Sequence, residues 1–62
     1  MGKFFVVTMD WDNEQVIVEW IDKEIHEVAR FDATDRMIPL EVFTHMERAA
    51  VWGYNIKVRR FV

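Results

Sequence analysis

The sequence predicts a single α+β domain over residues 1–62, in the order β-β-β-α-β. We expect a four-stranded, mainly antiparallel sheet with one helix packed on one of its faces. Two apolar runs, at residues 4–9 and 16–21, and a third stretch at residues 25–31 indicate strands. Residues 40–52 change to a period of about 3.6 residues, which indicates a helix. With 52% apolar and 31% charged residues in 62 positions, the composition is that of one small globular domain.

The first two strands form a hairpin around Asp12-Asn13. Apolar runs at residues 4–9 and 16–21 flank this pair, and Asx residues tolerate the positive φ of a tight turn. Pairing outward from the turn sets apolar residues opposite one another: Met9 with Val16, Val7 with Val18, and Phe5 with Trp20. Cross-strand pairs of this kind stabilise a sheet, so the pattern predicts the register as well as the hairpin.

A second hairpin follows, with its turn at Lys23-Glu24. A two-residue turn there sets Val18 opposite Ala29 and Val16 opposite Phe31. A three-residue turn would instead set Glu19 against Glu27, and like charges directly opposite each other destabilise a sheet. We therefore favour the two-residue turn, which a β-bulge in either strand would change.

The helix is expected to begin after Pro39, which suits a first turn, and to end before Gly53, which suits a C-terminal cap. One stripe is apolar and is expected to face the sheet: Val42, Phe43, Met46, Ala49 and Ala50. The opposite stripe is polar: Glu41, Thr44, His45 and Arg48. Residues 54–62 then alternate as a last strand, with Tyr54, Ile56 and Val58 on its inner face. The position of this strand in the sheet stays open.

One helix covers only one face of a sheet, and the other face is also apolar in this register. A solvated sheet face normally alternates to polar residues, and a contiguous apolar surface marks an interaction site. The predicted interface consists of five sheet residues and one tryptophan near the helix end: Phe4, Val6, Ile17, Ile21, Val28 and Trp52. The alternatives are a different strand register, or a loop before the helix that folds over this face.

Charge is unevenly distributed along the chain. Residues 1–35 carry nine acids and three bases, whereas residues 36–62 carry two acids and five bases. If the two parts meet in the fold, their opposite charges compensate each other. Otherwise the acidic part is expected to dock on a basic partner or to imitate the phosphates of a nucleic acid. Conversely, a basic–aromatic platform for single-stranded nucleic acid would consist of Lys57, Arg59, Arg60 and Phe61. The isoelectric point near 5.2 argues against that platform.

Several kinds of active site are excluded by composition. The chain has no Cys and no Ser, and its only glycines are Gly2 and Gly53. Disulfides, thiolate metal sites, serine triads and glycine-rich phosphate loops are therefore impossible. The acidic turn at residues 10–14 lacks the glycine and the distant acid of a calcium loop. His26 and His45 lie in different elements without a nucleophile. We predict no catalytic residue, no cofactor and no metal.

These observations lead to the expectation of a non-enzymatic interaction protein. We expect a homodimer, because small domains without disulfides often gain stability by self-association. It would act as a regulator or inhibitor by binding a protein partner. The alternatives are the nucleic-acid-binding module and a stand-alone structural or designed scaffold. No targeting signal and no apolar run of membrane-spanning length is present, so we expect a cytoplasmic protein with no membrane partner.

Overall fold

The computed structural model describes residues 2–61 and confirms the predicted α+β order. The regular elements are β1 (Phe4–Asp10), β2 (Gln15–Ile21), β3 (His26–Asp32), α1 (Leu40–Val51) and β4 (Asn55–Phe61). The four strands form one sheet in the order β3-β2-β1-β4. β1 and β2 pair antiparallel, as do β2 and β3, while β4 lies parallel to β1. Val62, the last residue of the predicted fourth strand, lies outside the described residues.

Both predicted hairpin registers are confirmed. Phe5 lies opposite Trp20 and Val18 lies opposite Ala29. The Asp22 N–H donates to the carbonyl of Ile25 (2.8 Å), which closes the second hairpin around the expected two-residue turn. The pairing of apolar side chains on one face therefore decided the register in both hairpins.

The first turn differs from the prediction in its backbone. Residues 11–13 form one turn of 3₁₀ helix, and the residue with positive φ is Glu14 (φ 51°) rather than Asp12 or Asn13. The side chain of Asp10 explains the difference, because its Oδ2 accepts hydrogen bonds from Asn13 Nδ2 (2.9 Å) and Gln15 Nε2 (3.2 Å). These two bonds lower the pKa of Asp10 below its ordinary value, against the opposing effect of burial.

The core lies between one face of the sheet and the helix. Its fully buried side chains are all apolar: Phe5, Val7, Val16, Val18, Ala33, Val42 and Ala49. Four of these come from β1 and β2, the two central strands, which alternate inward and outward along their length. The helix rests on this pair of strands and contributes only two buried residues of its own.

The helix presents a different stripe to the sheet than the sequence predicted. Val42 and Ala49 are buried as expected, but Phe43 is 48% exposed and Ala50 is also exposed. His45, predicted on the polar side, is half-buried, with its ring centroid 6.0 Å from that of Trp20. The apolar arc of this helix is wider than its contact with the sheet, and packing against the aromatic residues of β2 and β3 decided which part is covered.

The helix ends one residue earlier than predicted, at Val51, and its cap is confirmed. Gly53 adopts φ 80°, its N–H donates to the carbonyl of Ala50 (3.2 Å), and the N–H of Tyr54 donates to the carbonyl of Ala49 (2.9 Å). This pair of bonds is a Schellman motif, which satisfies carbonyls that the helix itself leaves unpaired. The motif turns the chain back towards the sheet, where β4 begins.

Candidate interaction surfaces

β4 is an edge strand with an open hydrogen-bonding side. All seven of its residues are exposed, and among the described strands it pairs only with β1. The Asn55 N–H donates to the carbonyl of Lys3 (2.8 Å), so Asn55 directs its backbone groups towards β1. Because the backbone groups of successive strand residues point to opposite sides, those of Ile56, Val58 and Arg60 point towards the free edge.

The side of β4 that faces the helix layer is apolar but uncovered. Ile56 and Val58 lie beside Phe5 and Val7 of β1, on the inner face that the sequence predicted for them. They nevertheless stay 39% and 56% exposed. Phe43 completes this apolar area from the helix. We call Phe43, Ile56 and Val58 the β4 surface.

The position of Phe43 follows from helix geometry. His45, Arg48 and Trp52 line a cleft together with Glu27 of β3, so this flank of α1 faces the β3 side of the sheet. At 3.6 residues per turn, Phe43 is rotated by about 160° from His45 and therefore lies on the opposite flank, towards β4. The half-exposed ring of Phe43 and the two aliphatic side chains of β4 thus line the same side of the molecule.

The opposite face of the sheet contains five of the six predicted interface residues. Phe4, Val6, Ile17 and Ile21 are half-buried there, and Val28 is 50% exposed. This face, which we call the outer face, has no helix on it among the described residues. Trp52, the sixth predicted residue, lies on the helix side of the molecule, so the structure does not bring the predicted set together.

Charged side chains cross the outer face and interrupt its apolar surface. Glu19 forms an ion pair with Arg59, whose Nη2 lies 3.6 Å from Oε1, and its Oε2 lies 2.8 Å from Nε2 of His26. Arg59 also donates to Oγ1 of Thr8 through Nη2 (3.2 Å) and Nε (3.3 Å), and Thr8 is only 1% exposed. The expected contiguous apolar surface is therefore divided by a charge network that joins three strands. Self-association through this face stays a prediction.

Trp52 belongs to an aromatic cluster centred on Trp20. The ring centroid of Trp20 lies 4.7 Å from Phe5, 5.0 Å from Tyr54 and 5.8 Å from Trp52. The cluster borders the cleft of about 350 Å³ that Glu27 and Arg48 also line. The rings meet edge-on or tilted rather than as parallel plates, so the cluster fills space and leaves no slot for a flat ligand.

The residues of the predicted nucleic-acid platform are divided between the two faces. Lys57, Arg59 and Phe61 lie on the outer face, and Arg60 lies on the helix side, where it lines a small cleft with Trp11. The Lys57 Nζ lies 5.6 Å from the ring centroid of Phe4, and the Arg59 guanidinium lies 5.8 Å from that of Phe61. Three of the four platform residues therefore share the outer face, and the sheet separates Arg60 from them.

The described part of the chain contains no cluster of metal-ligating side chains. Within residues 2–61, no group of three His, Asp or Glu side chains converges on a common point. The Nδ1 of His45 is buried and has no hydrogen-bond partner there. None of the described helices is long and apolar enough to cross a membrane.

Comparison with known proteins adds no relative. No protein family, no curated protein and no solved structure matches this chain significantly.

The open edge of β4 is the feature that sequence reasoning missed, although a signal for it exists. Residues 4–9 are apolar almost without interruption, which is typical of a strand with neighbours on both sides. The first hairpin supplies only one neighbour for β1. The remaining strand, β4, therefore had to pair with the other side of β1. Among the described strands, this leaves the side of β4 away from β1 without a neighbour.

Proposed function

We propose that this protein is a non-enzymatic interaction module that binds a macromolecular partner through β4 and acts by occupying that partner. The observation that carries the proposal is an edge strand whose free backbone groups lie beside uncovered apolar side chains. Binding of an extended segment to such an edge extends the sheet, with main-chain hydrogen bonds for affinity and alternate side chains for specificity.

The apolar part of this surface favours a transient rather than an obligate complex. Full burial of a side chain such as Val58 or Phe43 contributes about 1.5–3 kcal/mol. Since the three residues of the β4 surface are already about half-buried, their remaining contribution is roughly 2–4 kcal/mol. Association costs at least about 4 kcal/mol in lost freedom, so edge hydrogen bonds and charges must supply the rest.

The nucleic-acid alternative is less well supported, because it needs the basic residues on one platform. Arg59 already binds Thr8 and Glu19, and Arg60 lies on the other face. A module that tracks a phosphate backbone combines a continuous positive groove with stacked bases, and neither feature is assembled from Lys57, Arg59, Arg60 and Phe61.

Two edge valines provide a matched test of the proposal. Val58 of β4 is 56% exposed and Val28 of β3 is 50% exposed. The parent chain and the variants Val58→Asp and Val28→Asp are immobilised separately. Each is used to capture proteins from a lysate of the cells that produce this protein. We expect a partner retained by the parent and by Val28→Asp but lost with Val58→Asp, while circular dichroism stays unchanged in all three.

The contrary outcomes are clear. If Val58→Asp captures the partner to the same extent as the parent, the partner binds through another surface. The complete absence of any partner sensitive to β4 substitutions would support the stand-alone scaffold instead.

A further inference from the structure

We propose that the segment bound by β4 is an acidic, extended strand of another protein. This inference rests on the proposed function and adds the chemistry of the partner. It is carried by the unpaired charges of β4, by the alternation of its side chains, and by the poor fit of a second copy of this chain.

β4 is a basic strand. Residues 55–61 contain three basic residues and no acid. Arg59 is partnered by Glu19, but Lys57 and Arg60 form no ion pair with any described residue. Two cations along a free strand edge attract carboxylates, both during diffusional approach and after docking.

The basic and apolar side chains of β4 are distributed over both faces of the sheet along the free edge. Ile56, Val58 and Arg60 point to the helix side, and Lys57 points to the outer face. A partner strand places its residues on the same alternating faces. Apolar partner residues therefore fit opposite Ile56 and Val58, and acidic ones fit opposite Lys57, Arg59 and Arg60. In an antiparallel partner this order is acid-acid-apolar-acid-apolar.

A second copy of this chain, paired through the middle of β4, is a poorer occupant than an acidic segment. In an antiparallel pair centred on Val58, Lys57 of one copy lies opposite Arg59 of the other, and Ile56 lies opposite Arg60. In a pair centred on Lys57, the two lysines lie opposite each other. Like charges directly opposite each other destabilise a sheet. The basic residues of β4 that suit an acidic segment of another protein therefore disfavour its pairing with β4 of a second copy.

The test uses peptides of defined sequence. A fluorescein-labelled peptide with the core Glu-Glu-Val-Glu-Val is titrated with the full chain and followed by fluorescence anisotropy. The control peptides are Lys-Lys-Val-Lys-Val and the permuted Glu-Val-Val-Glu-Glu. We expect saturable binding of the first peptide only, weakened by added salt because the cations are exposed.

Two sets of variants locate the binding. Proline at position 58 removes an N–H that points to the free edge, a position where strands tolerate proline. Val58→Pro is expected to abolish binding, whereas Val28→Pro, the same change on the other edge strand, is expected to preserve it. A double variant, Lys57→Glu with Arg60→Glu, leaves the backbone intact. It is expected to weaken binding about tenfold and to gain affinity for the lysine peptide.

The outcomes separate this inference from the proposed function. If a β4-dependent partner is captured from lysate but the acidic peptide neither binds nor competes with it, β4 is a docking edge and its partner is not acidic. If the peptide binds equally to the parent and to the charge-reversed double variant, the inference is also wrong. If the chain associates with itself through β4, the mass in light scattering will fall with Val58→Pro, and the occupant is a second copy.

Discussion

Phe5 and Phe43 show how differently one residue type is used in this chain. Both follow an apolar sequence pattern, yet Phe5 is fully buried against Trp20 while Phe43 is 48% exposed. The difference depends on which element of the fold lies opposite each phenylalanine. Phe5 lies in a central strand of the sheet, and Phe43 lies on the flank of the helix that points towards the edge strand β4.

Substitution of each phenylalanine by alanine tests this difference. We expect Phe5→Ala to cost about 3–5 kcal/mol, because it leaves a cavity in the core. A domain of 62 residues has roughly 3–9 kcal/mol of stability in total, so this loss is a large fraction of the total. Phe43→Ala is expected to cost about 1–2 kcal/mol. Urea unfolding followed by circular dichroism measures both, and equal losses would place Phe43 in the core.

Asp10 makes the stability of the first turn depend on pH. Its pKa lies below the ordinary value of 3.8 because it accepts hydrogen bonds from Asn13 and Gln15. A carboxyl group with a lowered pKa in the folded state stabilises the fold above the unfolded value, and this contribution is lost as the pH falls through the folded value.

The pH effect is tested with Asp10→Asn. We expect this variant to be less stable than the parent at pH 7 and to lose less stability on acidification below about pH 4. Asp12→Asn removes the same charge from the same turn without removing the carboxylate that accepts these hydrogen bonds. It should follow the parent more closely. Thermal melts between pH 7 and pH 2 give the comparison, and identical pH profiles for parent and Asp10→Asn would contradict the assignment.

At the scale of elements, the junction between α1 and β4 depends on one left-handed residue. Gly53 has φ 80°, and a Cβ added to it would contact nothing within 4 Å. The space is therefore available, and the cost of a side chain is conformational only. This junction directs β4 to the side of β1, so the helix cap also positions the candidate docking edge.

The junction predicts a graded response to substitution. Gly53→Ala should cost about 1–2 kcal/mol, the strain of a left-handed residue with a Cβ. Gly53→Asn should cost less, because asparagine tolerates this conformation. Chemical denaturation of the two variants provides the measurement. Equal stability of Gly53→Ala and the parent would show that the Schellman motif contributes nothing here.

At the scale of the whole molecule, the fold has only two layers. Its Cα extents of 35, 19 and 15 Å leave no third layer on the outer face. Glu19, His26 and Arg59 lie across that face, but they already pair with one another. A second molecule that packs over these three side chains would therefore bury charges that have partners, which is the condition under which burial is tolerated.

Self-association through the outer face is tested at Val6 and Ile17, two half-buried residues near its middle. We expect light scattering at several concentrations to give twice the chain mass of 7.5 kDa for the parent. Val6→Glu and Ile17→Lys should give the single mass, because a charge buried in the interface without a partner costs several kcal/mol in each subunit. Circular dichroism should stay β-rich. A parent that is monomeric at high concentration would contradict the outer-face dimer.

Local pattern was enough to predict much of this fold. The element order, both hairpin registers, the beginning of the helix and its glycine cap depend on interactions between neighbours in sequence or across one turn. Val7 opposite Val18 and Gly53 at φ 80° are examples. Such interactions are short in range and leave a regular trace of periodicity, paired apolar residues and cap residues.

Tertiary packing decided what the pattern left open. The parallel pairing of β4 with β1, the stripe that α1 buries, and the ion pair of Arg59 with Glu19 all join residues that are distant in sequence. The apolar–polar periodicity of a strand or helix is the same whether another element covers its apolar residues or not, as Ile56 and Val58 show. Whether an apolar residue lies in the core or on a candidate docking edge depends on which element lies opposite it, and that is a property of the assembled structure rather than of any one segment.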